Sequence, residues 1–123
     1  MKAVVLAGGR GTRLYPLTFT RPKILVPLLN RPVLDYVLDW LKEGFDEIIL
    51  ACGQMRGGLR AYLETIDIKT KLNVVFEEAP LGTAGAIKNL ETVLDEPFLV
   101  MNGDIISSLS VEEFLSFAME KDG

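Results

Sequence analysis

Histidine is missing from the 123 residues, and cysteine occurs once, as Cys52. Without an imidazole the chain supplies neither a Ser-His-Asp triad nor a Cys-His pair. Zinc clusters built from Cys and His are excluded with them. A single cysteine forms no internal disulfide, so Cys52 reads as a small buried apolar residue in a reducing, cytoplasmic setting. No apolar run approaches the ~20 residues of a membrane span. The opening run, residues 3–7, is shorter than the ~7–15 residues of a signal-peptide core and is ended by glycines.

Carboxylates are also missing from the first 34 residues, which hold Lys2, Arg10, Arg13, Arg21, Lys23 and Arg31. That segment carries +6 and the remainder −10, within a net charge of −4. An acidic chain makes a general nucleic-acid surface a poor reading. Ordinary protein surfaces mix both signs. Positive charge confined to one loop-rich end is the mark of a local anion site.

What is present alternates. "KAVVLA" (2–7), "DEIILAC" (46–52), "LNVVFEE" (72–78) and "PFLVMNGD" (97–104) are short, apolar and β-branched, as buried strands are. Between them lie helical patterns. The first runs from near Asn30-Arg31-Pro32 to Gly44, with Pro32 as the first helical residue and Gly44 as C-cap. Others are expected over roughly 55–65, over 82–94, and over 110–123 with Ser110 as N-cap and Glu113 three residues on. Residues 8–32 hold four prolines and fit no long helix. The β-α-β-α order predicts a parallel sheet with helices on both faces, and such sheets bind ligands at the carboxyl ends of their strands. Gly123 stands where a helix would end and a fifth strand would begin. Together with the 49% hydrophobic content, this suggests an N-terminal piece of a larger domain.

"LAGGRGTRLYPLTFTRPK" (6–23) is the densest stretch. Its glycines expose backbone N–H groups, and Arg13 and Lys23 add mobile charge, the ingredients of a phosphate cradle. It is neither a Walker loop nor the dinucleotide fingerprint. "NGD" (102–104) alone reads as a turn. Beside a polyphosphate loop, Asp104 becomes a ligand for Mg²⁺, which takes one or two carboxylates plus phosphates and water. In "EEAPLGTAGA" (77–86), Glu77 or Glu78 either accepts hydrogen bonds from a nucleobase or simply answers a helix dipole. The chemistry left open by the missing histidine is phosphoryl or nucleotidyl transfer, which works by positioning and charge.

These three stretches, in this order, resemble the motifs of the sugar-phosphate nucleotidyltransferases, a family that includes mannose-1-phosphate guanylyltransferases and glucose-1-phosphate thymidylyl- and uridylyltransferases. The likeness covers essentially the whole chain. It implies a Rossmann-like three-layer αβα fold with a mostly parallel sheet, and transfer from an NTP (GTP, dTTP or UTP) to a sugar 1-phosphate, giving an NDP-sugar and pyrophosphate, with Mg²⁺. By resemblance, Leu6, Ala7, Gly8, Gly9, Gly11 and Thr12 line the nucleotide, and Arg13 stabilises pyrophosphate. Lys23 holds the α-phosphate and the attacking phosphate. Glu77, Pro80, Gly82 and Thr83 read the base, and Asp104 binds the metal. "EEAPLGTAGA" leans by resemblance towards a guanylyl or broad-specificity enzyme. The family places a second metal-binding aspartate and most of its sugar pocket in a following half, so residues 1–123 are expected to be a nucleotide-binding part without full activity. "CGQMRGG" (52–58) departs from the family pattern and leaves Gln54 open as a base contact. The alternative is a non-catalytic nucleotide-binding subunit that pairs with another chain, or with a second copy.

Overall fold

Four apolar segments become the strands of one sheet in the computed structural model, which describes residues 1–9, 11–53 and 58–121. They are β1 (Lys2–Ala7), β4 (Glu47–Cys52), β5 (Lys71–Phe76) and β6 (Phe98–Asn102), in the order β5-β4-β1-β6, with every neighbour parallel. A parallel sheet buried on two faces needs strands that are apolar throughout. β1 and β4 meet that need: Ala3, Val4, Val5, Ile48, Ile49 and Leu50 are all buried.

The strand period of two divides these residues between two cores. Ala3, Val5, Ile48, Leu50 and Cys52 face a large cluster with Leu34, Val37, Leu38 and Leu41 of helix α1 (Val33–Leu41) and Leu59 of α2 (Leu59–Thr65). Val111 and Leu115 of α4 (Val111–Glu120) pack on its edge. Val4 and Ile49 face the other way, onto Leu90, which follows α3 (Gly82–Lys88). The three-layer αβα arrangement is therefore present. No described helix is long and apolar enough to cross a membrane.

Four local readings change, one of them the length of α3, expected over 82–94 and found over Gly82–Lys88. Where a helix start is expected at Asn30-Arg31, the chain makes a two-residue hairpin turn at Leu29-Asn30. β2 (Pro27–Leu28) pairs antiparallel with β3 (Arg31–Pro32), and Leu29 and Asn30 both hold positive φ, 50° and 64°. Two positive φ values make the turn that matches strand twist. Pro32 then precedes the first helical residue instead of being it, with no side-chain cap. α1 ends at Leu41, with Lys42 as its cap rather than Gly44. The last helix begins as the sequence indicates: the Glu113 N–H donates to Ser110 Oγ at 3.3 Å. Residues 54–57 and Gly123 lie outside the described residues, so the readings of Gln54 and of the chain end are not tested.

Candidate functional site

Parallel pairing sends the carboxyl ends of all four strands to one edge. β1 stands between β4 and β6, so the chain reverses its direction of travel across the sheet beside β1. That reversal opens a crevice where open α/β sheets take ligands. The Gly103 N–H donates to the Leu6 carbonyl at 2.8 Å and ties the loop after β6 to the end of β1.

A cleft of about 550 Å³ occupies this edge. Leu6, Ala7, Gly8 and Gly9 form its floor from the end of β1. Lys23 enters from a 3₁₀ turn, Lys23–Leu25, which is pinned by the buried side chains of Ile24 and Leu25. Glu77, Pro80, Gly82 and Thr83 come from the β5–α3 connection, and Asp104 comes from the turn after β6. Residues up to 98 positions apart in sequence, Leu6 and Asp104, thus share one cavity.

Lys23 Nζ forms an ion pair with an Asp104 carboxylate oxygen inside the cleft. The Glu77 N–H donates to the Cys52 carbonyl at 2.9 Å, extending the β4–β5 ladder by one step. The Glu77 carboxylate lies close to Gly8 and accepts from the Leu81 N–H at 3.4 Å. Beneath it, a smaller cavity of about 80 Å³ is lined by Cys52, Gly53, Glu78 and Ala79 among others. Burial, helped by the Glu77 charge, pushes the Cys52 thiol up to about 12. A thiol held protonated is no nucleophile, which fits the reading of Cys52 as a packing residue.

The glycines of this edge divide by cause. A Cβ on Gly53 would stand 2.9 Å from the Gly8 carbonyl oxygen, so the close approach of two loops requires a glycine there. A Cβ on Gly9 would meet nothing within 4 Å, although Gly9 lines the cleft. The fold does not ask for a glycine at position 9, and its bare backbone leaves that part of the cleft open.

Three expected site residues lie off the cleft wall. Gly11 precedes the 3₁₀ turn Thr12–Leu14, and Thr12 and Arg13 are exposed within it. Sequence reasoning missed Asn102, Ile24, Ala51 and Ala86, which also line the cleft. Asn102 was legible as the last strand residue at the ligand edge. The others are apolar wall, indistinguishable in sequence from core.

The donor set suits a magnesium–polyphosphate better than a protein-only metal cage. Among the described residues no three His, Cys, Asp or Glu side chains gather. Mg²⁺ needs only one or two carboxylates when phosphates and water complete its octahedron, and Asp104 at the cleft offers one. The described cleft residues carry two carboxylates, Glu77 and Asp104, against the single ammonium of Lys23. A polyphosphate entering there benefits from an accompanying cation.

Comparison with known proteins gives the chain's family and fold. The sequence model of the family described as Nucleotidyl transferase matches residues 2–123. The chain is 41% identical over 125 residues to a mannose-1-phosphate guanyltransferase of Aspergillus oryzae, covering 95% of this chain and 34% of that protein. It is 32% identical over 117 residues to the bifunctional protein GlmU of Methanococcus maripaludis, covering 95% and 28%. The crystal structure of HddC from Yersinia pseudotuberculosis, complexed with GMP-PN, superposes with a TM-score of 0.77 at 30% identity, covering 97% of this chain and 54% of that one. The chain spans about a third of the length of the curated relatives it matches.

Proposed function

The chain belongs to the nucleotidyl transferase family, and from that premise we propose that its residues form the nucleotide end of a sugar-1-phosphate nucleotidyltransferase, of the mannose-1-phosphate guanylyltransferase kind. The observation that carries this reading is the single cleft that unites Gly8 and Gly9, Lys23 with Asp104, and Glu77 with Thr83.

In the proposed reaction a phosphate oxygen of the sugar 1-phosphate attacks the α-phosphorus of an NTP. The bond from that phosphorus to the bridging oxygen breaks, and pyrophosphate leaves with the electron pair. The nucleophile is already an anion at neutral pH, so the step needs no histidine to deprotonate it. The Gly8–Gly9 backbone receives the nucleotide, with Gly11 and Thr12 continuing that loop. Lys23 holds the α-phosphate and the incoming phosphate against each other. Arg13 meets the leaving pyrophosphate from the exposed turn beside the cleft. Glu77, Pro80, Gly82 and Thr83 face the base. Asp104 holds Mg²⁺, which when bound neutralises phosphate charge. The sugar is taken by parts of the enzyme beyond these residues, and the setting is the cytoplasm.

A second reading rests on exposed apolar side chains: Ile105, Ile106 and Leu109 after β6, and Phe117 and Met119 on α4. They suit a nucleotide-binding subunit that pairs with another chain.

Calorimetric titration of the chain with GTP, dTTP and UTP, with and without Mg²⁺, tests the main reading. Mg²⁺-dependent binding of GTP, weakened by Lys23→Ala, is expected. A folded chain that takes up none of the three would overturn the claim that these residues hold the nucleotide on their own.

A further inference from the structure

Thr18 is the one buried polar residue among those described, with no exposed surface, and it lies in a loop. Its neighbours reverse the usual pattern: Leu17 is 57% exposed and Phe19 65%. A segment that hides a threonine and offers its leucine and phenylalanine to water spends burial energy on where the hydroxyl goes.

The hydroxyl goes to the glycine loop. Thr18 Oγ1 donates to the Gly11 carbonyl at 2.6 Å. The same carbonyl accepts from the Leu14 N–H at 3.0 Å, closing the 3₁₀ turn that carries Arg13. A Cβ at position 11 would stand 2.8 Å from Thr18 Cγ2 and 3.3 Å from Lys23 Cβ, and its φ of 65° already favours glycine. Gly11, Thr18 and Lys23 therefore meet at one point. From there the chain runs back to Gly8–Gly9 and forward to the Lys23–Asp104 pair.

We propose that Thr18 is a positioning residue for the nucleotide site, a clasp that fixes the Gly11–Arg13 turn and Lys23 relative to each other. It touches no substrate. Its effect runs through Gly11, so a looser Thr18 leaves the cleft residues present and their spacing undefined. Displacements of an ångström at a phosphate-holding group cost heavily in such sites. The inference rests on the reading of the cleft as a nucleotide site.

The test compares Thr18→Val, which keeps the shape and loses the hydroxyl, with Thr18→Ser, which keeps the hydroxyl. Two readouts are taken on the whole chain: GTP–Mg²⁺ affinity by titration, and amide exchange at Leu14, Leu17 and Phe19. In Thr18→Val the loop amides should exchange roughly tenfold faster and affinity should fall roughly tenfold, the size of one lost hydrogen bond. Exchange in β1 should not change, and Thr18→Ser should restore both readouts. Faster loop exchange with undiminished affinity would make Thr18 merely structural and overturn the proposal. If the wild-type chain binds no nucleotide, the claim that these residues hold the nucleotide on their own fails. The clasp is then decided by exchange together with the Lys23 side-chain NMR shifts, and unchanged values of both would overturn it.

Discussion

Lys23 and Asp104 pair within the cleft, joining the end of the glycine-rich segment to the turn after β6. Their side chains keep 40% and 36% of their surface exposed. An ion pair so open to water contributes no more than about 1 kcal/mol, which makes it easy to exchange. Phosphate can take the ammonium while a cation takes the carboxylate. Asp104→Asn is accordingly expected to leave the unfolding free energy within about 1 kcal/mol of wild type and to abolish the gain in nucleotide affinity that Mg²⁺ provides. Titration with and without Mg²⁺, beside a denaturant curve, reads both. A Mg²⁺ effect that survives in the variant removes Asp104 from the metal site.

Gly9 and Gly53 give opposite expectations from the same substitution. Gly53→Ala forces a methyl against the Gly8 carbonyl and should cost about 1–3 kcal/mol of stability. Gly9→Ala places a methyl in open cleft. It should change stability by less than about 0.5 kcal/mol while weakening GTP roughly tenfold through lost room for the ligand. Thermal melts and titration on the two variants separate the cases. A destabilised Gly9→Ala with normal affinity would reverse the assignment.

Much of this was legible from pattern. The four strands show because β-branched and apolar residues fill them on both faces, and the order of alternation with helices sets the parallel sheet and hence the ligand edge. Gly8, Gly9, Lys23, Asp104 and one of the Glu77-Glu78 pair follow from that edge and from charge, whereas Leu6, Ala7, Pro80, Gly82 and Thr83 come through the family resemblance. What stayed hidden depends on contacts between distant residues or on local backbone choice. The Leu29-Asn30 turn carries a leucine where positive φ calls for glycine or asparagine, so no hairpin signal is written there. Thr18 sits between two large apolar residues, and alternation alone predicts the reverse of what is buried. Arg13 belongs to the right loop, but the turn it occupies points the segment off the cleft wall, a matter of Gly11 geometry that charge counting does not see.

Leu29 holds a φ of 50° with 85% of its surface exposed. It gains little from burial and bears the left-handed penalty of about 1–2 kcal/mol for a side-chain-bearing residue. Part of that returns as extra freedom in the unfolded chain when glycine is substituted. Leu29→Gly should therefore raise stability by about 0.5–1 kcal/mol, seen as a higher denaturant midpoint at unchanged slope. A lower midpoint would mean that the leucine has a contact worth more than its strain.

Cys52 gives a pH dependence with a definite sign. The residue is 2% exposed at the end of β4, and its thiol is raised from 9.0 to about 12, by burial first and by the Glu77 charge second. Below pH 9 the folded and unfolded chains both keep this proton, and the neutral thiol's contribution to stability is fully present. Between pH 9 and about 12 the unfolded chain releases the proton while the folded chain retains it, so stability falls as pH rises. Tyr62 acts in the same direction, because burial and its hydrogen bond to Asp35 raise its phenol. Cys52→Ala isolates the thiol. The variant should begin less stable at pH 7, having lost a buried sulfur, and then lose less stability than wild type between pH 8.5 and 10.5. Denaturant midpoints across that range measure the difference in slope. Native wild type should also resist alkylation by iodoacetamide at pH 8 and react fully once unfolded. Rapid labelling of the folded chain, or equal slopes for the two proteins, would place the thiol in contact with water and remove the packing role assigned to it beneath Glu77.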